Sequence, residues 1–293
     1  MFGRAKALVI DTVNGFIADD VLTRAAGIAY FTLFSIGPLA VIAIAVAGFV
    51  FGEEAARGSL AAQLDGLLGP RAAAAVQDMI RGTATSGSSL LATAISLGTL
   101  LLTASGAFGA LQSSLNAIWK TQARTSGTFS RLVKAKLAAL GLVATTGFLL
   151  LTSLIASAAL SALRDWISGL FPGVQLVLQA VNFLLSFGII TALFAAIYKV
   201  LPDRQIAWRD VAVGAMVTAL LFTVGKTAIG LYLGNSSVAS AFGAAGALAV
   251  VLVWIYYSAV IFLAGAEFTR AWAGMTGSRT DTPVADRRPD AAA

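Results

Sequence analysis

Thr227–Ala266 reads TAIGLYLGNSSVASAFGAAGALAVVLVWIYYSAVIFLAGA and contains no Asp, Glu, Lys or Arg. Gly82–Trp119, GTATSGSSLLATAISLGTLLLTASGAFGALQSSLNAIW, is likewise uncharged. A run of about 20 predominantly apolar residues is enough for a helix to cross the hydrocarbon core of a bilayer. Working outward from these stretches, apolar segments of that length fall at Ala25–Phe51, Leu90–Ile118, Leu137–Leu163, Val174–Tyr198, Val211–Leu233 and Ala241–Ala271. The chain reads as an all-α, polytopic membrane protein with six transmembrane helices.

Composition agrees with that reading. Hydrophobic residues make up 58% of the chain and charged residues 12%, against about 25% charged in soluble domains. The expected organisation is an N-terminal interfacial helix (1–24), a six-helix membrane domain (25–272) and a cytoplasmic tail (273–293). That tail is rich in Ser, Thr, Asp, Arg, Pro and Ala and predicts disorder. The first apolar segment begins too late and runs too long for a cleavable signal peptide, so it is expected to stay as a helix.

Basic residues set the orientation. One side of the membrane carries Arg4, Lys6 and Arg24, then Lys120, Arg124, Arg131, Lys134 and Lys136, then Lys199, Arg204 and Arg209, and finally Arg270, Arg279, Arg287 and Arg288. The other side carries only Arg57, Arg71, Arg81 and Arg164. The positive-inside rule therefore places both termini in the cytoplasm. The same asymmetry accounts for the formal net charge of +6 without a nucleic-acid partner.

Two connecting regions are patterned. Val9, Val13, Phe16 and Ile17 share one helical face, which predicts an interfacial helix ahead of the first span. In the first outer loop, Leu60, Leu64, Leu67 and Leu68, then Val76, Met79 and Ile80, predict two short amphipathic helices separated by Gly69-Pro70.

Chemistry-bearing residues are few. The chain has no cysteine and no histidine, which removes thiolate chemistry and the usual general base and zinc ligand. No GxxxxGK[ST] occurs and the carboxylates are scattered, so the expectation is a protein that is not an enzyme and needs no metal or cofactor. Lys226 lies inside a span, roughly 24 Å from its cytoplasmic start at 1.5 Å per residue. It either snorkels outward or contacts an anionic substrate or lipid headgroup. Arg24 and Glu267 both fall near the cytoplasmic ends of their spans and are expected to pair, the alternative being a proton-coupling role for Glu267. Pro38 predicts a kink in the first span. Gly230 and Gly234 form a GxxxG, followed by Gly243 and Gly246, and predict close helix packing. Gln112, Asn116 and Asn182 are read as polar packing residues between helices.

Seven stretches, taken in order, resemble the YihY/BrkB family of bacterial inner-membrane proteins. They are AYFTLFSIGPL at 29–39, LQSSLNAIW at 111–119, YKVLP at 198–202, WRD at 208–210, Gly225-Lys226, GAAG at 243–246 and Gly265-Ala266-Glu267. The resemblance covers roughly Asp20 to Trp272 and implies a six-helix protein of the cytoplasmic membrane with an envelope-related role. It defines no particular reaction, and the ribonuclease BN label carried by members finds no metal cluster or RNA-binding module in these residues. Phe242 stands where many relatives have Tyr, whereas Lys226 and Glu267 match the family pattern. The expected function is transporter-like or flippase-like handling of a lipid or other amphipathic envelope component, the alternative being a scaffold that organises an envelope complex. Expected partners are membrane lipids, a lipid-like substrate or an envelope protein, and no nucleic acid.

Overall fold

The computed structural model describes residues 2–52, 54, 57–58, 60–61, 73–74, 76–78, 80–81, 106–121, 174–235 and 243–276. Every regular element among them is helical: α1 (Phe2–Ala18), α2 (Val21–Phe51), α3 (106–118), α4 (Val174–Val200), α5 (Trp208–Asn235) and α6 (Gly243–Thr276). The expected span at Leu137–Leu163 lies outside the described residues, and that at Leu90–Ile118 is described only from residue 106. So do Leu64, Leu67, Leu68 and Met79 of the outer loop and the tail after Thr276.

Runs of Ala, Leu and Val with almost no charge make helices here because a lipid-embedded backbone has to satisfy its own hydrogen bonds. Phe183–Val200, Trp208–Ile229 and Leu248–Met275 are long and apolar enough to cross a membrane, and Val21–Ser35 is a shorter apolar stretch within α2. Phe183 (53% exposed), Leu184 (65%) and Val224 (62%) point away from the protein. Large side chains of this kind on an outer surface fit lipid rather than water.

The helices overrun the expected spans at their ends. Trp208 starts α5 ahead of Val211, with Asp210 in the first turn, where a carboxylate complements the helix dipole. Thr276 ends α6 beyond Ala271. Helical residues at 57–58, 60–61, 73–74, 76–78 and 80–81 fall where the outer loop predicted helix. Val76 and Ile80 are buried in a cluster with Ile44, Val250, Val251 and Ile255, so this part of the loop packs onto the bundle.

Three helices form an antiparallel sheaf. Tyr198 and Phe194 of α4 meet Thr218 and Phe222 of α5. Along α5 and α6, Gly214 faces Thr269, Thr218 faces Gly265, and Gly225 faces Tyr257 and Ile261. A Cβ on Gly214 would lie 1.8 Å from Thr269 Oγ1 and one on Gly265 1.9 Å from Thr218 Oγ1, so the backbones approach only because these positions lack side chains. Tyr198 locks the junction by donating to the Phe262 carbonyl at 2.6 Å. None of these three glycines was expected as a packing position, Gly225 and Gly265 having entered only through the family resemblance. Gly230 and Gly234 lie in α5 and Gly243 and Gly246 in α6, and their surroundings are outside what the structure describes. Pro38 lies within α2, whose helix continues through it, and its side chain also falls outside the description.

Val21, Ala25 and Ile28 of α2 share one buried core with Leu115, Ile118 and Trp119 of α3, Tyr198 of α4, Val211 and Ala215 of α5, and Leu263 and Ala266 of α6. The starts of α2 and α5 and the ends of α3, α4 and α6 thus converge at the end of the bundle that carries α1.

Candidate functional site

At this α1 end, charged groups from four elements meet. Helix α1 stops at Asp19 and Asp20, where Asp20 takes a left-handed φ of 49° and the Asp19 amide donates back to the Gly15 carbonyl at 2.9 Å. The turn directs the Asp19 side chain, 6% exposed, into the bundle. Its Oδ1 accepts from Lys120 Nζ, and its Oδ2 accepts from Arg270 Nη1 at 2.9 Å. Its carbonyl oxygen accepts from Arg24 Nε at 2.7 Å. Burial alone pushes the Asp19 carboxyl up, but the hydrogen bonds and charges supplied by Lys120, Glu267 and Arg270 outweigh it and bring the group below its ordinary value.

Lys120 reaches Asp19 from a strained position. Helix α3 closes with Thr121 N–H to Asn116 O at 2.9 Å and Lys120 N–H to Ala117 O at 3.0 Å, the bond pair of a Schellman motif. Lys120 occupies the left-handed residue of that motif, φ 49°, which usually belongs to glycine. A non-glycine residue there costs about 1–2 kcal/mol.

Glu267 sits one turn before Arg270 on α6, with Oε2 3.4 Å from Arg270 Nη1. It is 1% exposed, and among the described residues its Oε1 has no hydrogen-bond partner. Gly15 makes room for it: a Cβ there would lie 2.4 Å from Glu267 Oε2. The expected Arg24–Glu267 pair is therefore not the arrangement present. Arg24 is taken by the Asp19 carbonyl, and Glu267 has its guanidinium from its own helix. Depth brought Arg24 and Glu267 to the same end of the bundle, but the turn at Asp19 stands at Arg24.

Between α1 and the end of α6 opens a cavity of about 450 Å3, lined by Asp11, Asn14, Gly15, Ala18, Glu267, Arg270, Ala271, Gly274 and Met275. Helix α1 buries Leu8 while Val9 (61%), Val13 (49%) and Ile17 (69%) stay exposed. Most of the predicted apolar face is thus free to lie against a membrane surface, with Phe16 turned partly into the core.

A second polar link joins the end of α3 to the α4–α5 connection. Asn116 donates to Asp203 Oδ2 at 2.7 Å and accepts from the Asp203 amide at 2.9 Å. Gln112 donates to Asp203 Oδ1 at 3.3 Å, and Arg204 donates to the Trp119 carbonyl at 3.3 Å. Gln112 and Asn116 therefore serve a loop at the bundle end. Asn182 lies in α4, with its side chain outside the described residues.

Lys226 stands apart, half-buried on α5 beside Gly225 and on the half of that helix away from α1. Among the described residues it has no hydrogen bond or ion pair, and no group of three His, Cys, Asp or Glu residues is placed to hold a metal ion. Sequence reasoning did not assemble Asp19, Lys120, Arg270 and Gly15. The readable signal was an Asp doublet at the end of an amphipathic helix, followed at once by an apolar one.

Among the described residues, an all-helical sheaf with an apolar exterior and a cluster of ionised groups at its α1 end defines an integral membrane protein. The family model described as "Virulence factor BrkB" matches residues 12–289, and the chain belongs to that family. It is 30% identical over 271 residues to a UPF0761 membrane protein of Alcanivorax borkumensis, a match that covers 92% of this chain and 61% of that protein. To a UPF0761 membrane protein of Pseudoalteromonas translucida it is 28% identical over 258 residues, covering 88% and 83%. To one of Klebsiella pneumoniae it is 34% identical over 180 residues, covering 57% and 59%. The chain thus spans about three-fifths of the length of the Alcanivorax relative, at 61%. No solved structure matches it.

Proposed function

We propose that this chain is a multi-pass protein of the bacterial cytoplasmic membrane, with both termini in the cytoplasm, that binds and moves an amphipathic envelope lipid without covalent catalysis. The observation that carries this reading is the cavity of about 450 Å3 at the α1 end. It is walled by charged groups on one side of a helix whose other side is apolar and exposed. A lipid headgroup and its chains require that combination at a membrane surface.

Asp19 acts as a latch in this account. It ties α1, through its own turn, to α3 by Lys120 and to α6 by Arg270. Releasing it frees α1 from the bundle end and opens the cavity. Lys226, on the opposite half of α5, serves as the headgroup contact for the other leaflet. On this reading the six apolar segments of the sequence are six spans joining these ends.

The test is lipid redistribution in proteoliposomes. Fluorescent phospholipid in the inner leaflet, protected from an aqueous quencher, becomes quenchable when the protein moves it. Wild type is expected to expose it faster than protein-free vesicles, and Lys226→Ala more slowly than wild type. Folded wild-type protein that moves no lipid in either direction, with or without an ion gradient, counts against the reading.

A further inference from the structure

We propose that the α1–α6 cavity is a headgroup site for a zwitterionic aminophospholipid, one bearing a primary ammonium and a phosphate. This rests on the lipid-handling reading and names its substrate class at the α1 end.

The cavity presents both signs of charge within one volume of about 450 Å3, inside the range of about 300–1,000 Å3 typical of small-molecule sites. On the acceptor side, Glu267 is 1% exposed and, among the described residues, its Oε1 lacks any donor. Leaving a buried carboxyl oxygen without a donor costs free energy that a ligand N–H recovers. Asp11, one of the lining residues, supplies the negative charge, and Asn14 adds an amide oxygen. A primary ammonium offers three N–H donors to such acceptors. A quaternary ammonium offers none, so the site separates the two amine headgroups by hydrogen bonding rather than by charge.

On the positive side is Arg270. Its contacts to Asp19 and Glu267 both use Nη1. A guanidinium carries five N–H donors in a fork suited to phosphate. Among the described residues, Nε and Nη2 therefore remain for a phosphodiester. The chains also have a place to lie. Ile10 and Ile17 stand four and three residues from Asn14, which makes them its neighbours on the surface of α1, and they are 45% and 69% exposed. A headgroup in the cavity leaves the helix past these side chains into the apolar phase.

The experiment is native mass spectrometry of the purified full-length chain, titrated separately with dioleoyl phosphatidylethanolamine, phosphatidylcholine and phosphatidylglycerol. Loss of one charge-assisted hydrogen bond corresponds to about a tenfold fall in affinity. Phosphatidylethanolamine is therefore expected to bind at least about tenfold more tightly than the other two. Asp11→Asn and Ala271→Trp are expected to abolish that preference, the first by removing a surface carboxylate and the second by filling the cavity. Glu267→Gln should do the same but also disturbs Arg270, so the first two variants carry the decision. Soluble glycerophosphoethanolamine as a competitor separates headgroup recognition from chain binding: displacement of the lipid supports the site. Equal binding of all three lipids, or a preference unchanged in both Asp11→Asn and Ala271→Trp, overturns the inference. Lipid movement in proteoliposomes by a protein without this preference sinks the inference and leaves the transport reading standing. Preferential binding without movement does the reverse.

Discussion

Replacing Gly265 with alanine puts a methyl carbon 1.9 Å from Thr218 Oγ1 and 2.7 Å from Tyr198 Oη. Neither atom can retreat cheaply. Thr218 donates to the Gly214 carbonyl at 2.8 Å and lies 3.0 Å from Tyr198 Oη, while Tyr198 is held by the Phe262 carbonyl. Overpacking of this kind costs about 1–3 kcal/mol, and hydrogen bonds between membrane helices average about 0.6 kcal/mol each. Alanine returns about 1 kcal/mol of helix preference, so the net loss is about 1–3 kcal/mol. Equilibrium unfolding from mild detergent into SDS reads this directly. Gly27→Ala is the control, because nothing lies within 4 Å of a Cβ there. It is expected to stabilise by up to about 1 kcal/mol. Adding Thr218→Ala to Gly265→Ala removes the closest atom and should recover more stability than additivity allows. If Gly265→Ala and Gly27→Ala shift stability in the same direction, α5 and α6 are not packed through these glycines.

Three further predictions concern the charged end. Arg270→Ala leaves Asp19 and Glu267 buried without their shared cation and should cost about 3–5 kcal/mol, with partial recovery by Glu267→Gln, measured by the same unfolding. Exchanging Arg24 and Glu267 should give no recovery. Lys120→Gly should be more stable than Lys120→Ala by about 1 kcal/mol, because both lose the half-exposed ammonium but only glycine relieves the left-handed backbone. A folded-state carboxyl value below the ordinary 3.8 means that the stabilising contribution of Asp19 is complete above that pH and is lost as pH falls from it through the lowered value. The stability gap between wild type and Asp19→Asn should therefore close under acid.

The long apolar runs were legible because absence of charge over a helix length has one cheap physical solution. Val174–Tyr198, Val211–Leu233 and Ala241–Ala271 reappear, with small extensions, as α4, α5 and α6. The charged cluster was not legible. Asp19 takes its partners from 101 and 251 residues away, and periodicity along one helix says nothing about which residue arrives opposite it. Depth in the membrane did place Arg24 and Glu267 at the same end, but depth leaves rotation about each helix undetermined, and rotation gave Glu267 to Arg270. The glycines of the described α5–α6 seam were missed for a related reason. GxxxG drew attention to Gly230 and Gly234, whereas Gly214 and Gly225, three helical turns apart, match small or recessed positions on α6 that only the assembled pair reveals.

The most direct test places a photo-crosslinking amino acid at Asn14, on the rim of the α1–α6 cavity, in the full-length protein within living bacterial membranes, followed by mass spectrometry of the adducts. A phospholipid adduct at this position, lost when Ala271→Trp fills the cavity and absent with the same probe at Thr12 on another face of α1, is the result the account predicts. Adducts to a single protein partner with no lipid captured would contradict it and make the cavity a docking surface of a scaffold.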